Sequence, residues 1–269
     1  MESILAYGFM VRALVAGIFI AGACAILGVF LLLRRDAMIG HGLAHVTFGG
    51  IALGLMLHIL PLAVALTVAI LCALGILALK EKAGIYGDTA IGIFSSIGMA
   101  IGIILATLAG NLNVDLLGYL FGNILAIEVI EVWISVILAG VIIIAVALFY
   151  QELFYLTFDP QSARASGIHA KCLDRLLAVL TAVTIVLGMK IVGVLLVSAL
   201  IVIPSAAGLQ LAANFRHAII TSSIVATGSV IAGLIMAFYW DLPASGVIVI
   251  LSFLCFLLLF SLRLMRKPI

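Results

Sequence analysis

Val247–Phe260 reads VIVILSFLCFLLLF, and Ile137–Phe149 reads ILAGVIIIAVALF. Neither run alternates apolar with polar residues, as the strands of a membrane barrel do over about ten positions. Unbroken apolar runs of this kind belong to helices that cross a bilayer, each of which needs about 20 such residues. Working outward from these two runs, nine spans can be drawn, at approximately 11–33, 41–59, 62–79, 89–109, 128–149, 172–189, 191–211, 217–238 and 244–262. The whole chain agrees with the reading. It has 269 residues, 67% apolar and 9% charged, with a mean hydropathy of +1.47. Soluble domains run near 45–50% apolar and about 25% charged, so neither a water-soluble globule nor a disordered tail fits. The expected fold is all-α: one polytopic transmembrane domain over residues 1–269 with about nine helices, eight to ten at the limits, and no room for a separate soluble domain.

The few charges are sorted. With the N-terminus outside and the C-terminus cytoplasmic, Arg34, Arg35, Lys80, Lys82, Arg164, Lys171, Arg175, Arg216, Arg263, Arg266 and Lys267 all fall on the cytoplasmic side. Only Arg12 and Lys190 fall outside, which is the bias that sets membrane orientation. Glu2, Asp115, Glu128, Glu131 and Asp241 fall outside, making an outer rim of net charge −3 from two bases and five acids. Such a rim concentrates cations or docks a soluble partner; the alternative is a solvated surface with no role.

Smaller features add detail. Cys24, Cys72, Cys172 and Cys255 form no CxxC pair and read as small packing residues. The first apolar run, after Arg12, reads as a span rather than a cleavable leader. Leu116–Ala126 is apolar but too short to cross, and is expected to be interfacial or re-entrant. Gly50xxxGly54, Gly98xxxGly102 and Gly118xxxGly122 permit close helix packing. Pro204 is expected to kink the seventh span.

Polar groups inside a membrane are costly and are functional candidates by default. His41 and His45 stand four apart near the start of an apolar helix, one turn apart on one face. Neutral imidazole suits zinc and other borderline divalent metals. Two ligands do not close a site, but two copies of this face across a two-fold axis would supply four. The competing reading is a pair that hydrogen-bonds between helices or reaches the inner interface. His58, His169 and His217 are each alone and read as surface or interface residues. On the cytoplasmic side, Phe158–Gly167 (FDPQSARASG) contains a self-contained short helix. Asp159 caps it, Pro160 takes its first position and Gly167 ends it. An isolated helix in the longest connection reads as a docking element, with an ordinary connector as the alternative. There is no GxxxxGK[ST] loop for ATP, no hydrolase constellation, and no intramembrane carboxylate of the kind a proton-driven carrier needs.

Four segments together resemble the membrane-spanning subunit of metal-uptake ABC transporters, the ABC-3 type permeases of zinc, manganese and iron(II) importers. They are Arg34–Gly54 (RRDAMIGHGLAHVTFGGIALG), Asp115–Ala126 (DLLGYLFGNILA), Asp159–Gly167 (DPQSARASG) and Val192–Ala207 (VGVLLVSALIVIPSAA). The resemblance covers nearly the whole chain in order and spacing. It implies a transport subunit rather than an enzyme, acting as a homodimer of permeases in the bilayer. Two cytoplasmic ATP-binding-cassette ATPase subunits and an extracytoplasmic metal-binding protein would complete the importer, with no nucleic-acid partner. It implies that Asp159, Pro160, Ala163, Arg164 and Gly167 form the segment, within about 158–170, that couples to the ATPase. It implies a transported divalent metal and no permanent cofactor. The family's metal residues on the second span are usually an Asp followed four residues later by His; His45 matches the histidine, while His41 stands in place of the Asp. An all-imidazole pair favours zinc over harder manganese, with manganese or iron(II) as alternatives. Two rivals remain: a siderophore- or cobalamin-type permease, whose chains are typically longer, and an intramembrane metal enzyme, which would need a third ligand and a base.

Overall fold

In the computed structural model, residues 7–84, 86–108 and 127–266 are described. Among them every regular element is a helix. In chain order these are α1 (Gly8–Leu33), α2 (Ile39–Met56), α3 (Pro61–Lys82), α4 (Gly87–Leu108), α5 (Val129–Leu148), α6 (Tyr150–Phe158), α7 (Pro160–Ala165), α8 (Ala170–Val192), α9 (Val194–Leu211), α10 (Phe215–Trp240) and α11 (Ala244–Arg266). Eight of the described helices are long and apolar enough to cross a membrane, and α9 adds a shorter apolar one. All nine expected spans therefore have a helix. Leu116–Ala126, the Gly118xxxGly122 pair, Glu2, Asp115 and Lys267 lie outside the described residues.

Local chemistry fixes the ends. Pro61 opens α3, where its missing N–H has no partner to lose. A reciprocal capping box of Glu128 and Glu131 starts α5. The Asn214 side chain accepts the His217 N–H at 2.8 Å to start α10. Gly193, at φ +88°, makes the break between α8 and α9 that a residue with a Cβ resists.

The core sits around α1 and α9. Helix α1 packs against α5, α8, α9 and α10, and buries Ile20, Leu27 and Phe30 completely. Helix α11 covers α9 and α10. A second group, α2 between α3 and α4, joins this core through α8 and α9. Small residues permit the joins. A Cβ on Gly98 would lie 2.6 Å from the Val46 Cα, and one on Gly50 would lie 2.7 Å from the Ala65 Cα. Two of the glycine pairs in the sequence are thus helix-crossing points. The outward faces of α4 and α5 carry exposed Ile97, Ile104, Trp133 and Ile144, as lipid contact requires. With this architecture the chain is a multi-pass integral membrane protein.

Charges gather at the two ends of the bundle. At one end Arg34 donates to Asp174 at 2.7 Å and Lys80 to the second oxygen of Asp36 at 2.7 Å. Arg216 lies over the Tyr150 ring, 5.1 Å from its centre, and Arg263 donates to Gln210 at 2.8 Å. At the opposite end lie Glu131 paired with Lys190, and Asp241 after α10. The expected outer rim is altered in one respect: Glu131 is buried and ion-paired, and so is not a free solvated charge.

A tight crossing joins α1 to α9. A Cβ on Gly28 would sit 2.1 Å from the Ile201 carbonyl oxygen and 2.3 Å from Ser205 Oγ, whereas Gly22 has open space within 4 Å. Backbone cannot yield as a flexible side chain does. Gly28→Ala is expected to destabilise by about 1–3 kcal/mol, while Gly22→Ala is expected to be neutral or stabilising by up to about 1 kcal/mol. Thermal unfolding of the detergent-solubilised protein compares them; equal loss in both would dismiss the crossing as the cause.

Candidate metal pathway and coupling segment

Helix α2 begins at Ile39, immediately after the corner formed by Arg35, at φ +59°, and Asp36. His41 and His45 therefore stand on the order of 3 and 9 Å along the helix from its first residue. The pair sits in the half of α2 nearest the basic end. Gly40 is turned to Ile201 of α9, and Gly42 to Ile91 of α4. The imidazoles lie on the strip between those two helices, His41 exposed and His45 half-buried.

The two rings touch each other. Their Nε2 atoms are 3.1 Å apart, with ring centres 4.5 Å apart and planes at 89°. One Nε2–H donates and the other Nε2 accepts. Two nitrogens of a tetrahedral zinc site, each about 2.05 Å from the metal, would be about 3.3 Å apart. The pair is thus already near the separation at which one ion touches both. Among the described residues no cluster of three or more His, Cys, Asp or Glu side chains is placed to hold a metal. Within one chain the pair supplies two candidate ligands. The sequence brings these two together correctly; His58, His169 and His217 stand elsewhere, His58 in a left-handed turn at the far end of α2.

The segment after α5 is more structured than a connector. Helix α6 was not expected from the sequence, which ends the fifth span at 149. Its signal is an aromatic stripe at helical spacing, Tyr150, Phe154 and Phe158. All three rings pack on Phe215 of α10, with centres 5.4–5.9 Å away, and Phe215 packs on Phe30 of α1 at 5.1 Å. Helix α7 follows as expected. Asp159 Oδ1 accepts the Ser162 N–H at 3.0 Å, and Pro160 takes the first turn. At the other end Gly167, at φ +84°, donates its N–H to Arg164 O at 3.2 Å, and Ile168 donates to Ala163 O at 3.2 Å. That bond pattern is the Schellman closure. Ala163 is fully buried and seats α7 on the bundle, leaving Pro160, Arg164 and Gly167 exposed.

The family model for the ABC 3 transport family matches residues 6–263. The chain belongs to that family. It is 32% identical over 260 residues to the manganese transport system membrane protein MntC of Listeria monocytogenes, with 97% of this chain and 92% of the relative covered. It is 34% identical over 249 residues to the high-affinity zinc uptake system membrane protein ZnuB of Haemophilus influenzae, covering 91% and 94%. Among solved structures it is similar to PsaBC from Streptococcus pneumoniae in complex with Fab, with a TM-score of 0.84, 30% identity, and 94% and 91% of the two chains covered. Membership makes this chain a membrane subunit of an ABC transport system, with a role in transport rather than catalysis, resident in the cell membrane.

Hydrogen bonds from the Ser162 side chain and N–H hold the Asp159 carboxyl below its ordinary value. A depressed carboxyl pKa stabilises above the unfolded value and is lost as pH falls through the folded one. The protection factor of the Ser162 amide in hydrogen exchange is therefore expected to stay constant down to the ordinary carboxylate range and fall only below it. Asp159→Ala should show low protection at every pH; equal protection in both proteins would remove the cap.

Proposed function

We propose that this chain is the permease through which an ABC importer carries a divalent metal ion, zinc in preference to manganese, into the cytoplasm. The observation that carries the reading is the His41–His45 contact: two imidazole nitrogens 3.1 Å apart on an open strip of a transmembrane helix. Relatives named for manganese and for zinc support the class of cargo. The choice of zinc rests on the donor set. Imidazole without carboxylate suits borderline ions over harder ones, and the missing negative charge weakens Coulomb attraction for any cation.

The chemistry of loading follows from the contact between the two rings. For both Nε2 atoms to ligate an ion, the donor ring must give up its Nε2–H and take the Nδ1–H tautomer. Two copies related by a two-fold axis would present four imidazoles, a set able to hold an ion transiently and release it. By the lysine and arginine bias, the basic end faces the cytoplasm and the chain begins outside. There Pro160 and Arg164 of α7 offer the ATPase a docking face, and the opposite end receives metal from an extracytoplasmic binding protein. The whole chain acts as one permease domain. A bulky-chelate permease gains nothing from an imidazole pair, and an intramembrane enzyme lacks a third ligand among the described residues.

The test is uptake of radioactive zinc, manganese and iron(II) into vesicles containing the chain with its ATPase and binding protein. Uptake is expected to require ATP and the ATPase. His41→Ala and His45→Ala should each lower it to the ATPase-free level while the complex still assembles. Full uptake by both variants would remove the pair from the pathway. His41→Asp should shift preference toward manganese; an unchanged preference would count against zinc.

A further inference from the structure

At the basic end a cavity of about 840 Å³ opens between the α1–α2 corner, the end of α3, α6, α7 and the start of α8. Its size falls in the range of small-ligand sites, about 300–1,000 Å³. The cavity is two-sided in chemistry. Its deeper wall is apolar, formed by Leu31, Leu77, Leu177 and Ala178. Its polar wall holds two ion pairs, Arg34 with Asp174 and Lys80 with Asp36. When those pairs are set aside, and Arg164 with them as part of the face offered to the ATPase, Arg35, Lys82 and Lys171 face a single carboxylate, Glu81. All three cations are exposed, and none makes an ion pair among the described residues. Arg34 adds a sign of incomplete pairing: Nε donates to Thr157 and Nη1 to Asp174, while the buried Nη2 has no hydrogen-bond partner.

We propose that this cavity binds a phosphate-bearing anion, the headgroup of an acidic phospholipid whose glycerol end rests on the leucine wall. The excess of three cations over one carboxylate selects an anion. The apolar wall beside them, at the membrane end of transmembrane helices, selects an amphiphile over a free phosphate. Basic pockets between transmembrane helices on the cytoplasmic side are a recurrent setting for anionic headgroups. The site is separate from the His41–His45 pair, and its occupancy does not depend on which ion is carried. Its walls include α7 and the corner before α2, so a bound lipid would bridge the coupling segment and the histidine helix.

Native mass spectrometry of the full chain in detergent tests this, by titration with phosphatidylglycerol, phosphatidylcholine or glycerol 3-phosphate. Phosphatidylglycerol is expected to bind about tenfold or more tightly than phosphatidylcholine. The Lys82→Gln/Lys171→Gln variant should lose about thirtyfold in that affinity, at about 1 kcal/mol for each cation. Lys82→Arg/Lys171→Arg should retain it, as should Arg216→Gln/Arg263→Gln, which removes two charges from the same end outside the cavity. Lys171→Gln alone serves if the double variant fails to fold. Glycerol 3-phosphate binding as tightly as the lipid would overturn the lipid source and leave a soluble phosphate ester. Absence of lipid preference in the wild type, or equal loss in the Arg216/Arg263 variant, would overturn the site; the cavity would then be left for carboxylates of a docking ATPase.

Discussion

A bilayer interior offers no water to hydrogen-bond a charge or a stray backbone group. Much of this structure follows from that constraint. The chain keeps its ionic contacts at the helix ends. Arg34–Asp174 and Lys80–Asp36 fasten the corners at one end, and Glu131–Lys190 fastens α5 to α8 at the other. Between the ends, buried hydroxyls such as Thr47, Thr181 and Thr184 bond back to carbonyls four residues earlier in their own helices. Cohesion between helices is left to van der Waals contact, which favours glycine where backbones cross. The close approaches of α1 to α9 and of α2 to α4 are the result.

Against this background the His41–His45 pair stands out. It is a polar contact with both partners in one helix, and it leaves the strip between α4 and α9 open rather than closing it. A structural histidine at a helix crossing would be enclosed by its neighbours; His41 is exposed. The proposed role as a way-station for cargo rests on this openness and on the place of the pair in a transmembrane helix.

The spans were legible because apolar runs of bilayer length admit few alternatives, and the sorting of Arg and Lys could be read directly from the order of those runs. The caps of α7 were legible too, since Asp159, Pro160 and Gly167 each have a strong local preference. Helix α6 was hidden because Tyr150, Phe154 and Phe158 continue the apolar character of α5, so composition alone placed no boundary at Phe149. The pairing of Glu131, a member of the expected acidic rim, is not legible because its partner, Lys190, lies 59 positions away and only the packing of α5 against α8 brings them together. The contact between the two histidine rings needed side-chain torsions that helical spacing does not specify.

Helix α7 is only six residues long, a length at which an isolated helix in water does not persist. Here its first turn is held by Asp159, its last by the left-handed Gly167, and its underside by Ala163 against the bundle. A partner meeting this surface finds it already in shape. Little conformational entropy remains to be lost on contact, so the interaction need not be large to be stable. A rigid peg also transmits displacement without absorbing it. The aromatic stack from α6 through Phe215 to Phe30 extends that rigidity from the rim to the central helix of the core.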